Sequence, residues 1–196
     1  NIKNKMNKKP IYIIEHLEPE LFEWCLIEYG HISELVGKEN LWFTNLKNEG
    51  NKKKLSGFGK VFSESVKDMN LNNTCVLDPE ATKLLEPNEP FNYYIFGGIL
   101  GDNPPRKRTG PELTRFMKNH QTRNIGKEQM STDNAVFTVK QIADGKKFSE
   151  LAFEDNVSLQ LDEFEFVDLP YRYNLVEGKP FMSEKIIDYL KKNGAF

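Results

Sequence analysis

Between Phe91 and Arg108 a run of β-forming residues, Tyr93 to Phe96, leads without interruption into Gly97, Gly98 and Gly101, then into Asp102 and the Pro104-Pro105 pair. Such a stretch buries a strand and ends it in a shaped loop. Glycine admits positive φ and close approach of backbone to a ligand, and paired prolines stiffen the residues after them. Two readings fit: an ordinary strand-to-turn transition, or a ligand loop at the carboxyl end of a strand in an α/β sheet.

The rest of the chain supplies the sheet. Ile11 to Ile14 reads as a fully buried strand closed by Glu15-His16. Leu21, Phe22, Cys25, Leu26, Tyr29, Ile32, Leu35 and Val36 recur at helical spacing, with Gly37 as the stop. Leu41 to Thr44 is a second strand, followed by a Lys-rich loop from Asn45 to Lys54. Phe58, Val61, Phe62, Val66 and Met69 recover a weak helical period, and Cys75 to Leu77 is a third strand. Beyond the glycine loop, Gly110-Pro111 opens a helix carrying Leu113, Phe116 and Met117, and Thr122 to Ile125 is one more strand. Ser131 or Thr132 caps a helix through Ala135, Val136, Val139, Ile142 and Ala143, stopped by Gly145. Alternating strands and helices predict an α/β fold: a mostly parallel sheet with helices on both faces. From about residue 146 the pattern changes to a small antiparallel and helical extension, with a strand over Leu161 to Leu169, a turn at Gly178-Lys179-Pro180 and a last helix capped by Ser183.

At 196 residues the chain forms one domain, 11–196, behind a flexible basic tail, 1–10. With 38% hydrophobic and 29% charged residues it contains no run of the roughly 18 apolar residues that a membrane span needs. The N-terminus lacks the apolar core of a signal peptide, so a cytoplasmic protein is expected. Cys25 and Cys75 each sit in an apolar segment and read as buried thiols. His16, His31 and His120 form no cluster, and no metal is assigned. Net charge is −2, without the dominant basic footprint of a nucleic-acid binder, although lysines crowd residues 3–9 and 52–54. Ser149 to Tyr171 holds Glu150, Glu154, Asp155, Asp162, Glu163, Glu165 and Asp168 and no Lys or Arg. That window fits either a solvated edge that resists aggregation or a surface that attracts a basic polypeptide.

Glu15, Asp78, Asp102 and Asp133 fall at strand ends or at a helix start reached from one. In an open α/β sheet those positions converge on the rim where ligands bind. Each taken alone reads more readily as a turn or cap residue, and it is the four at corresponding places that point to a site. Gly97 to Gly101 has the wrong spacing for a dinucleotide fingerprint and follows the fourth strand instead of the first.

Set beside Arg123-Asn124-Ile125-Gly126 and Gln129 to Ala135, the glycine loop resembles the three motifs of SPOUT methyltransferases. Tyr12 to His16, Leu77-Asp78-Pro79, Phe96 to Asp102, Pro104-Pro105-Arg106, Pro170 to Tyr173 and Gly178-Lys179-Pro180 look like the eukaryotic SPOUT protein-arginine methyltransferases, whose fungal member modifies the small-subunit ribosomal protein uS3. The resemblance implies a trefoil knot over about 91–145 and S-adenosylmethionine as cofactor. Phe96, Gly97, Gly98, Leu100, Gly101, Asn124, Ile125, Gly126, Met130, Ser131 and Thr132 would surround it. Glu15, Asp102 and Asp133 are the candidates to grip and deprotonate an arginine guanidinium, which stays protonated in solution. Arg106, Arg172 and Tyr171 are candidate substrate contacts, and for the two arginines a surface salt bridge is an equal reading. The implied partner is a basic, uS3-like ribosomal protein, with no membrane, no required RNA and a monomeric enzyme. A SPOUT RNA methyltransferase and a non-catalytic ribosome-assembly protein are the alternatives.

Overall fold

Apolar runs without alternation are what strands covered on both faces require, and the computed structural model, which describes residues 9–194, places them in one sheet. Its strands are β1 (Ile11–His16), β2 (Leu41–Thr44), β3 (Lys60–Val61), β4 (Thr74–Leu77), β5 (Tyr93–Gly98) and β6 (His120–Arg123). They lie in the order β3-β2-β1-β5-β4-β6 and every neighbouring pair is parallel. All six carboxyl ends therefore share one rim. The tail expected over residues 1–10 lies outside the described residues except for Lys9 and Pro10.

The helices are α1 (Glu23–Val36), α2 (Glu49–Leu55), α3 (Thr109–Glu112), α4 (Thr132–Ala143) and α5 (Glu184–Asn193). One face of the sheet, with Tyr12, Ile14, Phe43, Cys75, Tyr94 and Phe96, packs under Cys25, Tyr29 and Ile32 of α1 and Val136, Val139 and Ile142 of α4. On the other face Ile13, Val76 and Ile95 meet Val66 and Leu113, so its cover consists of short helical turns. A third cluster joins Trp24 of α1 to Ile186 and Leu190 of α5 and to the strands β7 (Phe153–Gln160) and β8 (Phe166–Val176). Helix α1 is thus sandwiched between the sheet and the C-terminal unit, where β7, β8 and β9 (Lys179–Pro180) form an antiparallel sheet.

Several local expectations change. The Lys-rich loop contains α2, whose N-cap Asn48 accepts from Asn51 N at 3.0 Å and whose one fully buried anchor is Leu55. The helix read over Phe58 to Met69 does not form. Instead Lys60–Val61 lie beside β2, and only a glycine fits at 59, where a Cβ would stand 2.5 Å from the Leu41 carbonyl. Pairing with a sheet edge satisfies backbone groups that Gly57 and Gly59 would hold poorly in a helix. The helix opened by Gly110-Pro111 breaks after one turn at Leu113, and β6 begins two residues before the expected Thr122. In the C-terminal unit β7 precedes the predicted strand. Residues 162–165 instead make its turn, with Phe164 N and Glu165 N both 2.8 Å from Asp162 Oδ1.

Glu15 is a correction to its expected role at the reacting guanidinium. Its side chain is fully buried at the end of β1, accepting from Thr44 Oγ1 and Ser65 Oγ at 2.5 Å and from Val66 N at 2.9 Å. The group ties β1 to β2 and to the loop over the second sheet face. Glu15→Ala would leave these donors buried without an acceptor, and each such loss costs about 1–3 kcal/mol. We expect a stability loss of about 2–4 kcal/mol in urea denaturation, with the affinity of the rim cavity for its ligand kept in the folded fraction.

Candidate active site

The strand ends on the rim open into loops that glycine and proline shape, and three of them enclose a cavity of about 360 Å³. Its lining comes from residues 77–80 at the end of β4, Phe96 and Gly97 of β5 with residues 99–102 and 105–109 after it, residues 125–129 after β6, and Met130, Thr132 and Ala135 where α4 begins. Of the expected cofactor residues, Phe96, Gly97, Leu100, Gly101, Ile125, Gly126, Met130 and Thr132 line it. Gly126 has φ +92°, a left-handed conformation that a side chain would strain.

Three other members of that set lie beside the cavity. Gly98 faces α1, where a Cβ would fall on the Tyr29 hydroxyl. Asn124 holds the loop together: its Nδ2 donates to Ala81 O at 2.8 Å, and its Oδ1 accepts from Gly126 N at 3.1 Å. Ser131 lines a second cavity, of about 650 Å³.

This second cavity shares Ile99, Leu100, Gly101 and Asp102 with the first, so the loop after β5 is a wall between them. Its far side is built by Phe22, Trp24 and Glu28 near and on α1 and by Asp168 to Tyr171 of β8. Asp102 looks into both spaces. Its backbone is clamped by Gln129, whose Oε1 accepts from Asp102 N at 3.1 Å and whose Nε2 donates to Asp102 O at 3.0 Å. Its carboxylate takes a fork from Arg106, with Nε and Nη2 each at 2.9 Å. That guanidinium holds the Asp102 carboxyl below the usual carboxylate range. Asp102 therefore offers a fixed negative charge and is a poor proton acceptor.

The remaining candidates separate. Arg106 lines both cavities and Tyr171 the second. Arg172 lines neither: it forks onto Asp155 at 2.7 Å and stacks over Phe153, so the salt-bridge reading describes it. Asp133, expected at the reacting group, lies inside the first turn of α4, with Oδ2 2.7 Å from His31 Nδ1 and Oδ1 accepting from Ser131 Oγ at 2.6 Å. It joins α4 to α1 instead of lining a cavity. Asp78 lines the first cavity but is occupied by Thr114 Oγ1 at 2.7 Å and Glu80 N at 3.0 Å.

Residues that the sequence patterns did not single out complete the site. Glu18 Oε1 accepts from Leu100 N at 2.8 Å and from Arg108 Nη1 at 2.7 Å, fixing the shared wall from the β1 side. Glu28 is a carboxyl on the buried side of α1. A signal for it existed, because it falls three residues after Cys25 and four after Trp24, in register with the apolar stripe.

Comparison with known proteins adds to this geometry. Residues 11–195 match the family model described as protein arginine N-methyltransferase SFM1-like. The chain is 37% identical over 203 residues to protein arginine N-methyltransferase SFM1 of Saccharomyces cerevisiae, across 94% of this chain and 95% of that one. It superposes on the crystal structure of the yeast arginine methyltransferase SFM1 complexed with SAM with a TM-score of 0.87 at 34% identity, covering 95% of this chain and 92% of the other. For the SAH complex the TM-score is 0.84 at 34% identity, covering 92% and 94%. Dual specific Trm10 from Thermococcus kodakaraensis shares the fold, with a TM-score of 0.56 at 17% identity over 72% of this chain and 96% of that one.

The wall between the cavities leans on β8, since a Cβ at Gly101 would fall on the Tyr171 ring. Gly101→Ala should therefore cost about 1–3 kcal/mol by overpacking. In a Tyr171→Ala background the same change should cost much less, and a double-mutant cycle in urea measures the difference.

Proposed function

This chain belongs to the SFM1-like protein arginine N-methyltransferase family, and on that premise we propose that it methylates an arginine of a basic, small-subunit ribosomal protein of the uS3 kind, using S-adenosylmethionine. The observation that carries this reading is the pair of cavities divided by one loop, 99–102, with Asp102 facing both. Transfer of a methyl group needs donor and acceptor in line across a short gap, and placement supplies most of the catalysis.

The first cavity fits the cofactor. Its volume is within the range of ligand sites, roughly 300–1,000 Å³. Glycine backbone at 97, 101 and 126 permits close approach, while Leu100, Ile125, Met130 and Ala135 give apolar walls for a base. Lys127 in the lining suits a carboxylate. When bound, S-adenosylmethionine supplies an electrophilic methyl on a sulfonium.

The second cavity fits a guanidinium better than a phosphate. Glu18, Glu28, Asp102 and Asp168 line it, and its two arginines are already engaged, Arg106 by Asp102 and Arg108 by Glu18 and Glu112. The lysines that spoke for RNA stand elsewhere. Lys52, Lys53 and Lys54 lie on α2 and line neither cavity, and Lys3, Lys5 and Lys8 fall outside the described residues. Asp102 would hold the acceptor by charge, exchanging Arg106 for the substrate arginine in the same fork.

The reading carries with it a trefoil threading of about residues 91–145, supported by the order β5-β4-β6 and by the meeting of the loops after β5 and β6 at the start of α4. It also carries a monomeric enzyme acting in the cytoplasm, where such substrates are made. Among the described residues no helix is long and apolar enough to cross a membrane.

Labelled S-adenosylmethionine, offered with purified small-subunit proteins or with total RNA, should label an arginine of protein; label in RNA alone would overturn the proposal. Asp102→Asn should lower turnover by about 100-fold or more, with S-adenosylhomocysteine affinity, read by calorimetry, within about threefold of the parent.

A further inference from the structure

The arginine-methylating reading depends on where Asp102 stands, because this residue faces both cavities. Little in its own segment fixes that place. Among the described residues the backbone of 101–105 makes no hydrogen bond except those between Asp102 and Gln129. The fork from Arg106 is a weak anchor, since the Arg106 side chain is 66% exposed and an exposed ion pair contributes little. The Gln129 amide is a better one: it meets both backbone groups of Asp102, one through its oxygen and the other through its nitrogen.

We propose that Gln129 is a positioning residue for methyl transfer: it sets where the Asp102 carboxylate stands relative to the first cavity, and so where the acceptor arginine is held. This rests on the reading of the protein as an arginine methyltransferase.

Gln129 belongs to the donor side, because it lies in the segment 125–130, every residue of which lines the first cavity. Its side chain crosses to the wall, with Oε1 3.1 Å from Asp102 N and Nε2 3.0 Å from Asp102 O. Its backbone is tied to the acceptor side: Arg172 N donates to Gln129 O at 2.8 Å, and Met130 pairs with Arg172 as a parallel bridge. Tyr171, the preceding residue of β8, lines the second cavity and is the ring against which Gly101 rests. The contacts close a ring, from Gln129 to Asp102, through Gly101 to Tyr171, and by way of Arg172 back to Gln129. A single residue thereby joins the lining of the first cavity, the wall and the outer side of the second.

The residue type matters. A primary amide carries an acceptor oxygen and a donor nitrogen on one carbon, so one side chain can serve the N–H and the C=O of the same residue. Methionine, of similar length, offers neither in comparable strength, and an ionised glutamate has nothing to donate. A misplacement of about 1 Å can cost about 100-fold in rate. Loss of the clamp should therefore slow transfer without removing a charged group from either cavity.

Gln129→Met, which keeps the length of the side chain, should lower single-turnover methylation of a purified small-subunit ribosomal protein by about 10- to 100-fold. Its S-adenosylhomocysteine affinity, read by calorimetry, should stay within about threefold of the parent. A residue that acts through Asp102 loses its effect when the carboxylate is gone, so in an Asp102→Asn background Gln129→Met should lower the rate by less than about threefold more. Hydrogen exchange read by NMR on the parent, which needs no variant, should show the Asp102 amide protected at least about tenfold relative to an open chain, and Gln129→Met should lose that protection. An unprotected Asp102 amide in the parent, a parent-like rate in Gln129→Met, or losses that simply multiply in the double variant would overturn the inference while leaving the function standing. A parent that methylates RNA and no arginine would remove the function, and this inference with it.

Discussion

The structure depends on how closely the end of β5 approaches its neighbours. At Gly98 the backbone lies against the Tyr29 hydroxyl of α1, and at Gly101 against the Tyr171 ring of β8, with no room for a Cβ at either place. Both are contacts of backbone with a long side chain from another layer. They fix one loop between the sheet, the helix above it and the C-terminal strands. Tyr29 is itself held by His16, whose Nδ1 is 2.8 Å from the hydroxyl while Nε2 meets Glu20 O at 3.0 Å. Burial lowers the His16 pKa, which matches a neutral ring donating to the carbonyl and accepting from the tyrosine. The end of β1, the middle of α1 and the end of β5 are thereby one packed unit.

From that constraint comes the division of the site. The loop after β5 is thin enough to present one residue, Asp102, to two spaces, and Gln129 and Glu18 hold its backbone from opposite sides. The carboxyls lining the second cavity differ because their surroundings differ. The Arg106 guanidinium holds the Asp102 carboxyl below the usual carboxylate range, whereas burial pushes that of Glu28 above it.

The sheet and the rim are legible in the sequence because both leave patterns in composition. Ile11 to Ile14, Leu41 to Thr44, Cys75 to Leu77 and Tyr93 to Phe96 are continuous apolar runs, and all lie in parallel strands. Strand β7 is not legible, since Phe153 to Gln160 carries Glu154 and Asp155 and buries only Val157 fully. Strand β3 depends on Gly59 meeting a carbonyl from β2, a tertiary contact that no local period encodes. At the site, the glycine loops stand out because glycine is conspicuous. The carboxyls are harder to place: Glu15 and Asp133 stand at strand and helix ends like Asp102, yet their side chains turn inward to hydrogen-bond partners distant in the chain. Glu28 is hidden inside an apolar stripe, where a reading by period counts only the hydrophobic positions.

Among the described residues, the lining of the first cavity contains no position beyond Ala135, while the outer wall of the second is Asp168 to Tyr171 of β8. On the proposed reading, donor and acceptor are handled by separate stretches of one chain, meeting at a single loop. On that reading, changes in the hairpin of β7 and β8 around Val157 and Leu169, which anchor it, would alter the acceptor side and leave the lining of the first cavity untouched. The sheet and its rim, with their fixed chemistry, need not change for a lineage to acquire a new clientele.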